Sequence, residues 1–286
     1  MLRAFLAPLV VTLLLGVAAA TAHLAQVAET LAIVEGEAAM VTIAIRPDRA
    51  ADFDRVLERT KRVLARSQNP QRRAQAAGWQ VFKSEEMVQG NATYVMRIDQ
   101  TWRNTAYSPP TIVAEESPSE GADIRTLLRE IVIGDSTIAL SAVPVPGLGD
   151  LALKLAEVPR ASDPRPPVLS FDTAEAAVIT IVVRPEREDD FISTLGYLGK
   201  ALQANRGAPR QRQAAGWRVL KGTQRLGGNV VYVMSLDPLV QRAEYDVIRL
   251  IQESFPGDVD AIFQSYRGAY VGQAVARLTG RVDMSK

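Results

Sequence analysis

At 286 residues the chain is long enough for one large domain or two of ordinary size, and with 47% apolar and 23% charged residues it can bury a core. Its 33 basic and 32 acidic residues almost cancel, which removes the electrostatic footprint that would draw it to nucleic acid or to an anionic membrane surface. It has no cysteine, which excludes disulfides, a thiol nucleophile and a lipid-modified Cys, and it has a single histidine, His23.

The chain opens with MLRAFLAPLVVTLLLGVAAATAHLA, in which Arg3 precedes an apolar run from Ala4 to Ala20 and small residues stand at Ala20 and Ala22. This is the layout of a signal peptide over residues 1–25, and it predicts an exported protein, periplasmic or secreted. The rival reading is an uncleaved membrane anchor, because the run is only just shorter than the roughly 20 residues a spanning helix needs. Pro8 and the A-x-A pattern favour cleavage, so membrane contact is expected only through an uncleaved segment. Cleavage leaves 32 basic and 32 acidic residues and takes His23 or leaves it at the new terminus.

Beyond that segment the chain is written twice. QAAGWQVFK (Gln75 to Lys83) and QAAGWRVLK (Gln213 to Lys221) differ at two positions and stand 138 residues apart, and 27 of the 80 pairs from Ala39–Pro118 against Ala177–Pro256 are identical without a gap. VTIAIRP and ITIVVRP read as strands closed by proline. Phe191, Leu195, Leu198 and Leu202, like Phe53, Val56, Leu57 and Leu64, mark an amphipathic helix. GWQVFKSEE and NATYVMRID, like GWRVLKGTQ and NVVYVMSLD, flank a Gly-containing turn and predict a hairpin. Tyr245, Ile248, Leu250 and Ile251 predict a helix ending near Pro256, Asp258 to Val271 continues helical, and AVARLTGRV, matched by STIALSAVPV, closes the unit as a strand.

This βαββαβ order is the ferredoxin-like plan. A four-stranded antiparallel sheet with helices on one face needs cover for the other, and a second copy offers it. The expected fold is therefore α+β: two tandem ferredoxin-like units, residues 34–146 and 172–284, packing sheet to sheet as an intrachain pseudo-twofold α+β barrel. Residues 147–171, with PVPGLG running into them and PRPP inside them, form the linker. The chain is expected to be monomeric, its repeats acting as an internal dimer.

In element order and duplication the tandem unit resembles the dimeric α+β barrel superfamily, which includes antibiotic-biosynthesis monooxygenase-like and stress-responsive barrel domains. The resemblance covers roughly residues 34–146 and 172–284. It implies that small molecules sit between sheet and helices, and that activities range from cofactor-independent oxygenases and haem enzymes to proteins with none. The haem branches depend on histidine ligands, which the folded part of this chain lacks, so no cofactor and no metal is expected.

Among the repeated polar residues, alternation puts Trp79, Val81 and Lys83 on the same sheet face as Tyr94, Met96 and Ile98. Trp79, Lys83 and Tyr94, with Trp217, Lys221 and Tyr232 in the second copy, could line a pocket for a small apolar or anionic ligand; the plainer reading has the aromatics as core and the lysines snorkelling or pairing with Asp99 or Asp237. Arg46 and Arg184, at the end of the first strand, could meet a carboxylate at the barrel mouth or cap carbonyls. Asp99 and Asp237 suit turn formation. The basic run Arg59, Lys61, Arg62, Arg66, Arg72 and Arg73 reads as a solvated helix face. GLGDLA, Gly147 to Ala152, fits a dinucleotide fingerprint, but no parallel strand order surrounds it and the second copy has no counterpart. No Walker A loop, HExxH or G-x-S-x-G elbow occurs. The expected function is a non-catalytic small-ligand-binding or scaffold barrel; the alternative is a cofactor-independent monooxygenase-like or isomerase-like enzyme in which the eight residues named above orient the substrate.

Overall fold

The computed structural model describes residues 38–101, 105–146, 148, 166–204 and 207–286. The signal segment, His23 and most of GLGDLA lie outside the described residues, among which no helix is long and apolar enough to cross a membrane. The chain divides into two compact units, one running to Leu140 and taking in Gly280–Lys286, the other Ser141–Thr279.

In the first unit β1 (Ala38–Ile45) is followed by α1 (Ala50–Arg66), α2 (Pro70–Ala77), β2 (Trp79–Ser84), β3 (Ala92–Ile98), α3 (Pro109–Ala114), α4 (Pro118–Ile131) and β4 (Val132–Ala142). The second repeats the series as β5 (Ala176–Val183), α5 (Glu188–Ala204), α6 (Ala208–Gly216), β6 (Trp217–Gly222), β7 (Val230–Leu236), α7 (Val247–Ser254), α8 (Val259–Ala269) and β8 (Tyr270–Asp283). The expected order is present with additions: the short helices α2 and α6 stand before the QxxGW strands, and β8 begins at Tyr270, so Tyr270 and Val271 are strand rather than helix.

Among the described residues the strands of each unit pair antiparallel, in the order β4-β1-β3-β2 in the first unit and β8-β5-β7-β6 in the second. The hairpins turn on Gln89-Gly90 and Gly227-Gly228, all four with positive φ, the mirror-image turn that matches the twist of paired strands. The ends of β4 and β8 overrun their own repeats. Val143 N–H donates to the Val219 carbonyl at 3.0 Å within the second unit, and Met284 N–H donates to the Trp79 carbonyl at 3.2 Å within the first. Hydrogen bonding thus follows the closed order β1-β3-β2-β8-β5-β7-β6-β4, an antiparallel barrel of eight strands in a mixed α+β chain, as the repeat pattern predicts.

Each unit has its own core between helices and sheet. In the first, Phe53, Leu57 and Leu64 of α1 meet Val41, Trp79, Tyr94 and Met96. In the second, Phe191, Leu195, Leu198 and Leu202 of α5 meet Ile179, Trp217, Tyr232 and Met234. The opposite sheet face is also covered, since Met40, Thr42 and Val95, like Val178, Thr180 and Val233, are buried. Of the expected linker, Leu148 and Phe171 are buried in the second core, and Gly147 and residues 149–165 lie outside the described residues. The approach is close: the Pro146 carbonyl oxygen lies 2.1 Å from where a Cβ on Gly199 would stand, so α5 needs glycine there.

Candidate functional site

The repeated QAAGW motif builds a polar joint in each unit. Gln75 donates its amide N–H to the Ala106 carbonyl at 2.8 Å, and Gln213 donates to the Glu244 carbonyl at the matching position. Arg72 donates to Gln75 Oε1 (2.7 Å), to the Ala106 carbonyl (2.8 Å) and to Glu115. Arg210 donates to Gln213 Oε1 (2.8 Å) and grips both oxygens of Glu253 at 2.8 and 3.0 Å. These pairs satisfy groups whose burial would otherwise be costly.

The solvated-face reading of the basic run holds for Arg62, Arg66 and Arg73, which are exposed, and is corrected for Arg59 and Arg72. Arg72 is only 8% exposed, and Arg59 forks onto Glu120 with two 2.7 Å bonds and reaches Glu116 at 3.2 Å, so these arginines tie α1 and α2 to α4 and the turn before it. The acidic partners lie about 40 to 60 residues further along the chain, which a run of basic letters does not reveal.

Trp79 and Trp217 are fully enclosed at 0% exposure, each 5.6 Å from the ring of Tyr107 or Tyr245. Neither buried indole N–H has an acceptor among the described residues. Burial, the main cause, pushes the Tyr245 phenol up to about 12, and its oxygen accepts the Val240 N–H at 2.8 Å.

Lys83 and Tyr94 are cross-strand partners, as are Lys221 and Tyr232, so the expected register holds. Tyr94 donates to Asp54 Oδ1 at 2.7 Å, with Lys83 Nζ 5.8 Å from its ring centre. Tyr232 donates to Glu188 Oε1 at 2.5 Å, and Lys221 pairs with the same oxygen at 2.6 Å. Burial, reinforced by the carboxylate bond, holds both phenols well above the usual range, so both stay protonated near neutrality. Burial alone would raise Glu188, but Lys221 and Tyr232 outweigh it and hold its carboxyl low.

Arg184 donates to the carbonyls of Gly268 (2.6 Å) and Tyr270 (2.9 Å), closing the end of α8. Arg46 is half exposed, 3.5 Å from Asp48. Asp99 lies 3.1 Å from Arg97. The structure therefore brings Lys221 and Tyr232 together around one carboxylate, encloses the tryptophans in the two cores, and sets the arginines at the strand ends.

A second grouping escapes a search for repeated residues because the repeats differ there. Where the first unit has Ser108, Leu128 and Val132, the second has Asp246, Tyr266 and Tyr270. Tyr266 stacks at 6.2 Å on Phe191, which lies 4.7 Å from Tyr232, and Tyr270 lies 5.8 Å beyond. Among the described residues Tyr266 makes only these ring contacts and no hydrogen bond from its hydroxyl. Burial, then the nearby Tyr270 and Asp246, pushes that phenol up. Asp246 caps α7 by accepting the Arg249 N–H at 2.8 Å; burial raises its carboxyl, Glu244 adds to the rise, and the Arg249 and Ile248 amides oppose it. Asp246 and the Tyr266 phenol interact electrostatically, and a carboxylate and a neutral phenol are the groups that take a proton and steady an oxyanion. The sequence signal for it was the substitution pattern at the 138-residue offset.

No family model and no curated protein matches the chain. Among solved structures it is similar to one named for a monooxygenase from Fusobacterium nucleatum, with a TM-score of 0.45 and 11% identity over 86% of this chain and 92% of that one. A chlorite dismutase mutant from Candidatus Nitrospira defluvii gives 0.39 and 9% over 88% and 95%. A haem-binding protein from Thermus thermophilus gives 0.37 and 9% over 86% and 92%. The expectation of a non-catalytic binding or scaffold barrel is corrected at this point: neighbours bear the names of enzymes, and the enzyme alternative is carried forward. An imidazole-held haem does not fit the described residues, which include no histidine and no His, Cys, Asp or Glu group placed to hold a metal ion.

Proposed function

We propose that the protein is an enzyme of the cofactor-independent monooxygenase-like or isomerase-like kind, whose common step is removal of a proton from a small, flat, largely apolar substrate. The observation that carries this reading is the divergence at one locus, Ser108, Leu128 and Val132 against Asp246, Tyr266 and Tyr270. The Tyr266 phenol is only partly buried and has no hydrogen-bond partner among the described residues, so its hydroxyl is open to a ligand in a way that the leucine of the first unit is not.

In this scheme the Asp246 carboxylate takes the proton, the Tyr266 hydroxyl donates to the developing oxyanion, the partly buried Tyr270 flanks the substrate, and the enclosed Phe191 and Tyr232 back Tyr266 from the core. Lys221 and Glu188 hold Tyr232, and Arg184 holds the Tyr270 backbone. Return of the proton at another carbon completes an isomerisation. With dioxygen as co-reactant, the carbanion formed from a CH2 group goes on to a carbonyl, and the second oxygen atom leaves as water. The fold is read as a tandem duplication of a unit like the antibiotic-biosynthesis monooxygenase and stress-responsive barrel domains, supported by the 27 identities in 80 pairs.

The test is deuterium exchange from heavy water into a panel of hydroxyaromatic and β-dicarbonyl carbon acids, with oxygen uptake followed in parallel. The wild-type protein is expected to accelerate exchange in one of them, and Asp246→Asn to lose about 10²–10⁴-fold of that rate. Equal rates in the two proteins, or no exchange above buffer across the panel, would end the reading.

A further inference from the structure

We propose that Glu244 is a positioning residue for Asp246, tying residues 168–169 of the second unit to the candidate base; this rests on the reading of Asp246 given above. Glu244 is buried, at 1% exposure, and both carboxylate oxygens are occupied by backbone donors. Oε2 accepts the Val168 N–H at 2.7 Å, while Oε1 accepts the Leu169 N–H at 3.0 Å and the Asp246 N–H at 2.8 Å. Its backbone carbonyl also receives Gln213 and, at 3.5 Å, Arg210. One residue thus joins three pieces of chain: residues 168–169, the start of α7 and the polar joint on α6.

The joint itself does not require this carboxylate. In the first unit the counterpart is Ala106, whose carbonyl takes the Gln75 and Arg72 bonds equally well with no side chain to help. A buried carboxylate is expensive unless it is fully bonded, so its presence in one unit only indicates a task found only there. That unit is the one with Asp246, Tyr266 and Tyr270. A fixed negative charge two residues away, bonded to the Asp246 amide, both orients the Asp246 backbone and resists ionisation of its side chain. Among the described residues, the other charged and titratable groups acting on Asp246 are Arg249 on α7 and Tyr266 on α8, with Arg210 and Arg212 of α6 acting on the adjoining Tyr245.

The experiment is a carbon-detected NMR titration of the full chain, following the Asp246 carboxyl and assigning it by its loss in Asp246→Asn. Glu244→Gln keeps an acceptor oxygen and removes the charge, and the Asp246 midpoint is expected to fall toward the ordinary 3.8. An unchanged or higher midpoint overturns the proposal. Should that variant not fold, the wild-type protein answers: the Val168, Leu169 and Asp246 amide protons should move through one common midpoint, and the Asp246 carboxyl should respond at that pH. Independent movement overturns it equally. If the coupling is present but Asp246→Asn exchanges substrate protons at the wild-type rate, the proton-abstraction reading falls and the tie between Glu244 and Asp246 stands.

Discussion

The two units hold the same tyrosine in the same way by different means. In the first, Tyr94 bonds to Asp54, in the second turn of its helix; in the second, Tyr232 bonds to Glu188, at the first position of its helix. At the 138-residue offset Glu188 corresponds to Ala50 and Asp54 to Ile192, so the carboxylate has moved by four residues. Four residues is one helical turn on one face, and the longer glutamate side chain makes up the reach. What is maintained is the bond between phenol and carboxylate, whereas at Asp246, Tyr266 and Tyr270 the second unit has groups the first lacks altogether. The comparison separates contacts that any copy of the fold needs from groups that one copy has acquired.

That separation can be broken or sharpened by substitution. Trp79→Ala and Trp217→Ala should each cost about 3–5 kcal/mol in urea unfolding, as enclosed aromatic anchors of equivalent cores do. A much smaller loss at one site would mean that its core is not the structural equal of the other. Gly199→Ala should destabilise by about 1–3 kcal/mol, because the new methyl group meets the Pro146 carbonyl, while Lys61→Ala at the matching place in the first unit should stay within about 0.5 kcal/mol.

Tyr94→Phe and Tyr232→Phe should each lose about 0.5–1.5 kcal/mol. The sharper form is a transplant: Asp54→Ala should weaken the first unit by a similar amount, and adding Ala50→Glu should recover it. Failure of that rescue would show that the two carboxylates are not equivalent.

The smallest effects are in pH dependence, and they have opposite signs. Glu188 has a lowered folded value, so its contribution is present above the ordinary 4.5 and is lost as pH falls through the lower folded value; Glu188→Gln should remove that slope from acid unfolding curves. Asp246 is raised, so the folded state holds its proton more tightly, and stability declines as pH rises from 3.8 through the folded value. Asp246→Asn should flatten that decline, and a decline of the same steepness in the variant would refute the assignment.

Much of the fold could be read from the letters. Alternation in WQVFK and TYVMRI fixes which residues share a face, because a one-residue slip would turn every side chain over, and the observed pairs Val81–Met96 and Lys83–Tyr94 follow from it. Gln89-Gly90 and Gly227-Gly228, each between two extended runs, announce hairpins because the turn demands positive φ. The repeat itself announces two equivalent units and the α+β class. The helices α2 and α6 were not legible, since PQRRAQAA and APRQRQAAG have little apolar periodicity and owe their place to the Arg72 and Arg210 joints.

The tertiary structure decided the rest because the deciding contacts join residues far apart in sequence. Arg72 meets Glu115 across 43 residues, and Glu244 meets Val168 across 76, distances at which local pattern has no say. Only the packed fold could show that the repeated tryptophans are enclosed, that a carboxylate migrates one turn without losing its tyrosine, and that Phe191 of α5 and Tyr266 of α8 stack. Sequence by itself determined the elements and their register, because those depend on the short-range periods of strand and helix. Which charged groups lose their water and find one another depends on burial, and burial is a property of the folded chain.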